Sequence, residues 1–268
     1  MLASWSSEGE GREPLVSAIT VCKNSVGTLD AALRSVAVQE NVDGLLEHIV
    51  IDGASVDDTL AVVTRYPHVR WVSEPDTGIA DAFNKGIELS RGRIIGFVHS
   101  DDRLSNPTSV KKIIDAFEQH PTAGAVVGRI SVDGVIRSET ESLFRRGVRR
   151  VVDVLPGGRL FGEFMPHPAM YIRRSVYDEL GLYDTSFRIA MDYEFILRMR
   201  KAGVNVARID DVIYEMSSGG VSNTMHRRAA AEALRACRLH KIPLPICVAR
   251  YVNTVATRMV RNAGRVKR

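Results

Sequence analysis

Apolar residues in the first hundred positions follow two alternating patterns. Short continuous apolar runs, typical of buried strands, alternate with segments in which apolar residues recur every three or four positions, as on one face of a helix. The runs predict strands at 16–22, 48–51, 69–73 and 94–98. The periodic segments predict helices at 29–38, 59–66 and 79–89. Strands that alternate with helices form a parallel sheet with helices on both faces, so the pattern predicts an α/β fold.

The second half of the chain continues this pattern after one interruption. Between 139 and 159, paired arginines and a Pro-Gly-Gly turn replace the apolar pattern and predict a mobile excursion over the sheet, either a lid or an acceptor-binding loop. The regular pattern on either side predicts helices at 108–119, 176–180, 193–202, 227–240 and 246–266, and strands at 125–131, 169–172 and 205–213.

The distribution of charge divides the chain near residue 225. Residues 226–268 contain eleven Lys or Arg and a single acid, Glu232, whereas acids outnumber bases in residues 1–225. Residues 1–13 are mostly Ser, Glu and Gly, a composition typical of disordered segments. We therefore expect a disordered tail at 1–13, one domain at 14–225 and a basic amphipathic helical extension at 226–268.

The cysteine content and the lengths of the apolar runs bear on the compartment. The three cysteines form no Cys-x-x-Cys pair, which indicates neither a zinc site nor a disulfide framework. No run reaches the roughly 18 apolar residues that a membrane-spanning helix needs, and the N-terminal residues lack the apolar stretch of a signal peptide. These features favour a cytoplasmic protein.

Two acids, Asp101 and Asp102, follow the apolar run 94–98 together with His99. The carboxyl ends of parallel strands form the edge where α/β folds bind ligands, and carboxylates there are costly unless a cation or hydrogen-bond donors meet them. Mg²⁺ or Mn²⁺ suits such a cluster, because these ions keep positions free for phosphate oxygens. The alternative is that the two acids only cap a turn before Pro107.

Asp52 ends the second predicted strand at the same edge. A carboxylate there can accept hydrogen bonds from a nucleobase or a ribose hydroxyl, or it can stabilise its own turn. Asp81 and Lys85 lie one turn apart on the polar face of the helix predicted at 79–89. Lys85 can reach a phosphate from this face, or its ammonium group can remain solvated.

The second half of the chain adds two candidate residues. His167 lies between Pro166 and Pro168, which fix its backbone, and it is either a ligand or a structural histidine. Asp192 directly precedes the helix predicted at 193–202. From there it can cap the helix, or it can accept a proton from a hydroxyl group held within hydrogen-bond reach.

Five segments occur in the order and spacing of one known family. They are Asp52-Gly-Ala-Ser, the stretch from Asp76 to Gly86, His99-Ser-Asp-Asp, His167-Pro and Met191-Asp-Tyr-Glu. Together they resemble the inverting family 2 glycosyltransferases of GT-A fold, in which a Rossmann-like, mostly parallel sheet is flanked by helices. The Gly-Gly-Val-Ser segment at 219–222 is similar to bacterial members that build cell-envelope polysaccharides or glycolipids.

The resemblance implies a substrate pair and a donor site. The donor is a nucleotide-diphosphate sugar, and the acceptor is a hydroxyl group of a glycan or of a lipid-linked molecule. Asp52 is implied to contact the nucleoside, and Asp81, Lys85 and Asp102 are implied to lie in the donor site.

The resemblance also implies a divalent metal, Mg²⁺ or Mn²⁺, and a general base. Asp101, alone or with Asp102, is the implied metal ligand, and Asp192 is the implied base. His99 can ligate the ion directly or only shape the turn, and His167 is a further candidate ligand from its own sequence context. The chain departs from the family pattern twice. His99 replaces the first acid of the usual Asp-x-Asp, and Met191 replaces the Glu of the usual Glu-Asp pair, which leaves Asp192 as the remaining acid of that pair.

The last predicted helix has an apolar stripe bordered by arginines. Such a helix can lie in an anionic membrane surface, or the stripe can pack on the domain. Nucleic acid is not expected as a partner, because no aromatic platform accompanies the charge beyond Tyr251.

The turn after the first strand lacks Gly-x-Gly-x-x-Gly, which disfavours a dinucleotide-dependent oxidoreductase. A non-catalytic nucleotide-sugar-binding or membrane-scaffold protein remains the alternative to an enzyme.

Overall fold

The structure is a computed structural model that describes residues 2–4, 14–137, 165–217 and 225–243. Three predicted features lie outside the described residues: the loop at 139–159, the Gly-Gly-Val-Ser segment at 219–222 and the helix at 246–266.

The first half of the sheet is parallel, as predicted. Its strands are β2 (Val16–Cys22), β3 (Leu46–Asp52), β4 (Arg70–Ser73) and β5 (Ile94–Phe97). They lie in the order β4-β3-β2-β5 across the sheet. The helices between them are α1 (Leu29–Ala37), α2 (Thr59–Val63) and α3 (Ile79–Leu89). The α2 helix ends three residues before the predicted end, because Pro67 follows and disfavours helical backbone in the residue before it.

Helix α3 packs closely on the sheet. Its apolar positions Phe83 and Ile87 are buried, in accordance with the predicted spacing. Gly86 faces Ile19 of β2, and a Cβ atom at Gly86 would lie 2.4 Å from Cγ2 of Ile19. Only glycine permits this approach, so Gly86 sets the distance between α3 and the sheet.

The second half of the sheet is mixed. Strand β9 (Met170–Arg173) lies between β5 and β7 (Ala125–Val132) and is antiparallel to both. Strand β10 (Val206–Met216) then pairs parallel with β7. The remaining helices are α4 (Ser109–Gln119), α5 (Arg174–Leu180), α6 (Met191–Lys201) and α7 (His226–Leu239).

Three short elements have no periodic signal in the sequence. They are β6 (Arg103–Leu104) beside β10, β8 (Val135–Arg137) beside β7, and a 3₁₀ turn at His167–Ala169. Two or three residues are too few to establish a hydrophobic period, so neighbouring strands rather than local pattern determine such elements.

The prediction that residues 1–13 contain no structured element is wrong for three residues. Leu2–Ser4 forms β1, which pairs antiparallel with β4. Without this pairing, β4 would be an edge strand with unpaired backbone N–H and C=O groups. A short extended segment can pair with these groups through its own backbone, so the pairing does not depend on the side chains of that segment.

Helix α7 packs on α6 rather than forming a separate extension. Ala236 and Cys237 are fully or almost fully buried, and Ile242 joins the same hydrophobic cluster as the residues of α6. The described part of the basic segment, residues 225–243, therefore belongs to the core of the domain that was expected to end at 225. Among the described residues, no helix is both long and apolar enough to cross a membrane.

A buried carboxylate joins three segments at the amino end of the parallel strands. Glu47 accepts hydrogen bonds from Ser17 Oγ at 2.6 Å, from the N–H groups of Arg91 and Gly92 at 2.5 and 3.1 Å, and from Arg70 Nη1 at 2.7 Å. Burial acts to raise the pKa of Glu47, but these donors together hold it below its ordinary value of 4.5. Folding therefore favours the ionised form of Glu47.

We expect Glu47→Gln to lower the free energy of unfolding by about 1–3 kcal/mol at pH 7, because an amide is a weaker acceptor for these donors. The stabilisation by the native carboxylate is present above pH 4.5 and is lost as the pH falls through the lowered pKa. The difference between the two proteins should therefore shrink in acid. Urea unfolding at pH 7 and at about pH 3.5 measures it, and an equal difference at both pH values would contradict the assignment.

Candidate active site

The candidate site lies at the carboxyl edge of the sheet. The loop after β5 carries His99, Asp101 and Asp102, and Ser217 directly follows β10 at the same edge. The Ser217 N–H donates to Asp102 Oδ1 at 2.9 Å, and Ser217 Oγ donates to the Asp101 carbonyl at 2.9 Å. A residue that lies more than 110 positions away in the chain thus holds the acidic loop in place.

Three side chains of this loop form a cluster with the chemistry of a metal site. His99, Asp101 and Asp102 each offer one ligand atom, and these atoms lie within 4.8 Å of one another. Among the described residues, His99 Nε2 is a buried atom without a hydrogen-bond partner. Two carboxylates with an imidazole suit Mg²⁺ or, better, Mn²⁺, so the residues fit the predicted ion. The structure places Asp102, expected in the donor site, within this cluster.

The electrostatics of the cluster reflect its burial. Burial raises the pKa of Asp102 to about 7; the Ser217 N–H opposes this shift and the charge of Asp101 adds to it. Burial and the neighbouring His167 lower the pKa of His99 to about 4, against the opposing charges of Asp101 and Asp192. A cation would favour both ionised Asp102 and neutral His99, the two forms that bind metals.

His167 lies beside this cluster but does not belong to it. The 3₁₀ turn directs its ring against Phe83 and Phe97, with ring centroids 5.6 and 5.5 Å away, and its Nε2 lies 2.7 Å from Tyr183 Oη. Its ring centroid is 6.4 Å from that of His99. The expectation that His167 is a metal ligand is therefore not supported, because stacking and the tyrosine hydroxyl already fix its ring in the interior.

Asp192 is the second residue of α6 and is half-buried. The residue at the N-cap is Ala190, so the interpretation of Asp192 as the cap of this helix is wrong. Its Oδ1 instead accepts the Tyr193 N–H at 2.7 Å. Its charge acts to raise the pKa of both His99 and Tyr183, so the carboxylate interacts electrostatically with these two side chains.

Asp52 occupies the predicted place at the end of β3, but its carboxylate is fully buried. Oδ2 accepts from Ser73 Oγ at 2.6 Å and from the Ser55 N–H at 3.0 Å, and Oδ1 accepts from Ser55 Oγ and from Cys22 Sγ. The expected contact of Asp52 with a nucleoside stays a prediction. Both oxygens stabilise the turn after β3, the alternative that the sequence left open.

Asp81 and Lys85 stabilise the loop that leads into α3. Asp81 Oδ2 accepts the Thr77 N–H at 2.9 Å, and Lys85 Nζ lies 2.9 Å from Glu74 Oε1 and 3.6 Å from Asp81 Oδ2. Lys85 Nζ also donates to the Pro75 carbonyl at 2.8 Å. These contacts give both side chains a role in the loop, and Lys85 would have to exchange partners to reach a phosphate.

Asp76 faces the turn after β3, which the sequence did not indicate. Its Oδ1 accepts the N–H of Gly78, the N-cap residue of α3, at 3.0 Å. A Cβ atom at Gly53 would lie 2.1 Å from Asp76 Oδ2, so the glycine makes room for this carboxylate.

A cleft of about 410 Å³ opens beside the acidic cluster. Its walls include Asp101, Asp102 and Ser217 on one side, and Gly27 and Thr28 from the start of α1 on another. Ser217, which the sequence did not indicate, contributes to the site only because it lies close to Asp102 in space. No local pattern could have identified it.

The sequence comparisons agree on a family. The sequence model described as glycosyl transferase family 2 matches residues 17–181. An uncharacterized glycosyltransferase of Mycobacterium tuberculosis is 34% identical over 224 residues, which are 81% of this chain and 80% of the relative. A PGL/p-HBAD biosynthesis glycosyltransferase of Mycobacterium bovis is 29% identical over 219 residues, 79% of this chain and 80% of the relative.

Solved structures share the fold at low identity. A mannosyltransferase from Pyrobaculum calidifontis, in complex with GDP-Man and Mn²⁺, has a TM-score of 0.68 at 20% identity over 94% of this chain and 76% of that one. Glucosyl-3-phosphoglycerate synthase from Mycobacterium tuberculosis, with Mn²⁺ and UDP, has a TM-score of 0.63 at 17% identity over 84% and 78%. S. aureus TarS with UDP-GlcNAc has a TM-score of 0.62 at 18% identity. The match covers 82% of this chain but only 66% of the TarS chain.

These structures confirm the predicted GT-A architecture, a mostly parallel central sheet flanked by helices. The family model covers more than half of the chain, and the mycobacterial relative exceeds 30% identity over most of both proteins. The chain therefore belongs to glycosyl transferase family 2 and is a glycosyltransferase.

Proposed function

We propose that this glycosyltransferase moves a sugar from a nucleotide-diphosphate sugar to a hydroxyl group of a glycan or lipid-linked acceptor, with inversion at the anomeric carbon. The observation that carries this proposal is the cluster of His99, Asp101 and Asp102, whose ligand atoms lie within 4.8 Å of one another, together with the electrostatic interaction between Asp192 and His99. A general base and a metal site are the two components that a single displacement needs.

Asp101, Asp102 and His99 would hold a divalent ion at the diphosphate of the donor. When bound, such an ion offsets the negative charge that develops on the departing nucleoside diphosphate. The solved structures in complex with Mn²⁺ support this assignment, as does the buried, unpartnered His99 Nε2.

Asp192 would accept the proton of the acceptor hydroxyl as its oxygen attacks the anomeric carbon. The bond from that carbon to the diphosphate oxygen breaks in the same step, and the electron pair leaves with the diphosphate. Attack opposite to the leaving group inverts the configuration. The other acid of this segment cannot replace Asp192, because Glu194 is 2% exposed and both its oxygens are engaged by His240 and Arg198.

Different comparisons support the proposed donor and the proposed acceptor. Structural neighbours are complexes with UDP-GlcNAc, GDP-Man and UDP, which supports a nucleotide-sugar donor. For the acceptor, the similarity to the PGL/p-HBAD biosynthesis glycosyltransferase of Mycobacterium bovis favours a cell-envelope glycolipid or a related glycan.

A further proposal is that the basic C-terminal segment holds the enzyme at an anionic membrane surface, near a lipid-linked acceptor. The exposed face of α7 carries Arg227, Arg235 and Arg238. In residues 246–266, an apolar stripe bordered by Arg258, Arg261 and Arg265 supports the same interpretation. Each basic residue near an anionic surface contributes about 1 kcal/mol to binding.

Asp101→Ala should weaken the Mn²⁺-dependent binding of UDP or GDP at least tenfold, because the cluster loses a charged ligand while the fold is unchanged. Titration calorimetry with each nucleotide, with and without Mn²⁺, measures the effect. Glu215→Gln is the matched control, since Glu215 lines the same cleft but pairs with Arg103 outside the cluster. Metal-dependent binding by Asp101→Ala equal to that of the wild type would disprove the assignment.

Asp192→Asn should lower turnover about 10²-fold or more with nearly unchanged donor affinity, because an amide keeps the shape of the side chain but cannot take a proton. The readout is nucleotide release from UDP-GlcNAc and GDP-Man with Mn²⁺. Asp178→Asn, an exposed acid of α5, serves as the control. Near-normal turnover by Asp192→Asn would remove the base, whereas donor binding without any turnover by the wild type would favour a non-catalytic binding protein.

Changing Arg258, Arg261 and Arg265 to Glu should lower the fraction of protein that sediments with vesicles of anionic lipid at least tenfold, by reversing three charges near the surface. The control changes Arg34, Lys201 and Arg208 to Glu, which alters the net charge equally at exposed positions of the domain. If both variants lose binding to the same degree, or if the wild type does not sediment, the membrane proposal is wrong.

A further inference from the structure

One carboxylate of α7 binds the backbone directly before α6. Glu232 is 8% exposed, and its Oε2 accepts the N–H groups of Arg188, Ile189 and Ala190 at 3.0, 2.8 and 3.1 Å. Ala190 is the N-cap of α6, and Asp192 is the second residue of that helix. A single side chain therefore fixes the backbone that carries Asp192.

The charge of Glu232 makes this contact strong. Although burial acts to raise it, the Arg228 guanidinium and the three N–H groups hold the pKa of Glu232 below its ordinary value of 4.5. Arg228 Nε donates to the second oxygen, Oε1, at 2.9 Å. Hydrogen bonds to an ionised acceptor are roughly twice as strong as those between neutral groups, so the turn at 188–190 has little freedom.

Two other contacts hold α7 on the residues that follow Asp192. Tyr193 Oη lies 3.3 Å from Cys237 Sγ, and Glu194 Oε1 lies 2.8 Å from His240 Nε2. Contacts from α7 thus flank Asp192 on both sides along the chain. His99, Asp101 and Asp102 make none of these contacts with α7. The contacts therefore affect the proposed base and not the candidate metal site.

We propose that Glu232 is a positioning residue, which orients Asp192 toward the His99–Asp102 cluster by fixing the turn at 188–190. The proposal rests on the role of Asp192 as general base. Proton transfer requires heavy atoms about 2.6–3.2 Å apart, and a misplacement of about 1 Å can cost 10²-fold in rate. Glu232 lies outside residues 17–181, so the family match does not include it.

The test compares Glu232→Gln with Glu47→Gln. Both substitutions keep the side-chain volume, and both remove a buried carboxylate that binds consecutive backbone N–H groups, but Glu47 lies at the opposite edge of the sheet. We expect Glu232→Gln to lower kcat for nucleotide release from UDP-GlcNAc or GDP-Man about tenfold, with unchanged KM for the donor. We expect Glu47→Gln to leave both constants unchanged. Unchanged kcat in Glu232→Gln, or an equal loss in both variants, would overturn the proposal.

A double-mutant cycle separates positioning of the base from general structural damage. If Glu232 acts through Asp192, then adding Glu232→Gln to Asp192→Asn should cause no further loss of kcat. Losses that multiply would overturn the positioning role while leaving Asp192 as the base. Near-normal turnover in Asp192→Asn alone, by contrast, would reject the proposed function itself.

Hydrogen exchange gives a readout that needs no substrate. The amides of Arg188, Ile189 and Ala190 should exchange at least tenfold faster in Glu232→Gln than in the wild type, because a neutral amide oxygen holds them less tightly. In Glu47→Gln their exchange should match the wild type after correction for global stability. Unchanged protection of these amides in Glu232→Gln would contradict the geometry on which the proposal depends.

Discussion

Negative charge at the carboxyl edge of the sheet is the constraint on which the site depends. Strands β3 and β5 each end in carboxylates that burial would destabilise without compensation. Asp52 receives four donors from its own turn and its neighbours, so its charge is satisfied by protein alone. Asp102 receives the Ser217 N–H and lies beside Asp101, and its pKa rises to about 7. This difference favours the second strand end over the first as the place for a cation.

The two departures from the family pattern have different structural consequences. His99 brings a ring nitrogen within 4.8 Å of the ligand atoms of Asp101 and Asp102, so the first acid of the usual motif is replaced by another metal-binding group. Met191 is 5% exposed and belongs to the hydrophobic core, so the position of the usual Glu contributes packing and no charge. With Glu194 engaged by His240 and Arg198, Asp192 is the remaining acid of its segment, and its side chain is half-buried.

Helix α7 changes the interpretation of the C-terminal segment. A basic composition indicates a solvated or membrane-bound extension, and the exposed arginines of α7 are compatible with that part of the prediction. The buried face of the same helix, however, completes the core and binds the turn before Asp192 through Glu232. The single acid in an otherwise basic segment thus has the most specific contact of the helix.

The sequence by itself determined the longer elements of this protein, because the hydrophobic periods of strands and helices are local properties. It placed β2 and α3 at their observed bounds, and it placed Asp52 and the His99–Asp102 segment at strand ends. Only the tertiary structure decided which of these carboxylates is satisfied internally, that His167 turns its ring into an aromatic cluster, and that Ser217 and Glu232 support the site. These outcomes depend on contacts between residues that lie 16 to 115 positions apart, and such contacts leave no periodic signal in the chain.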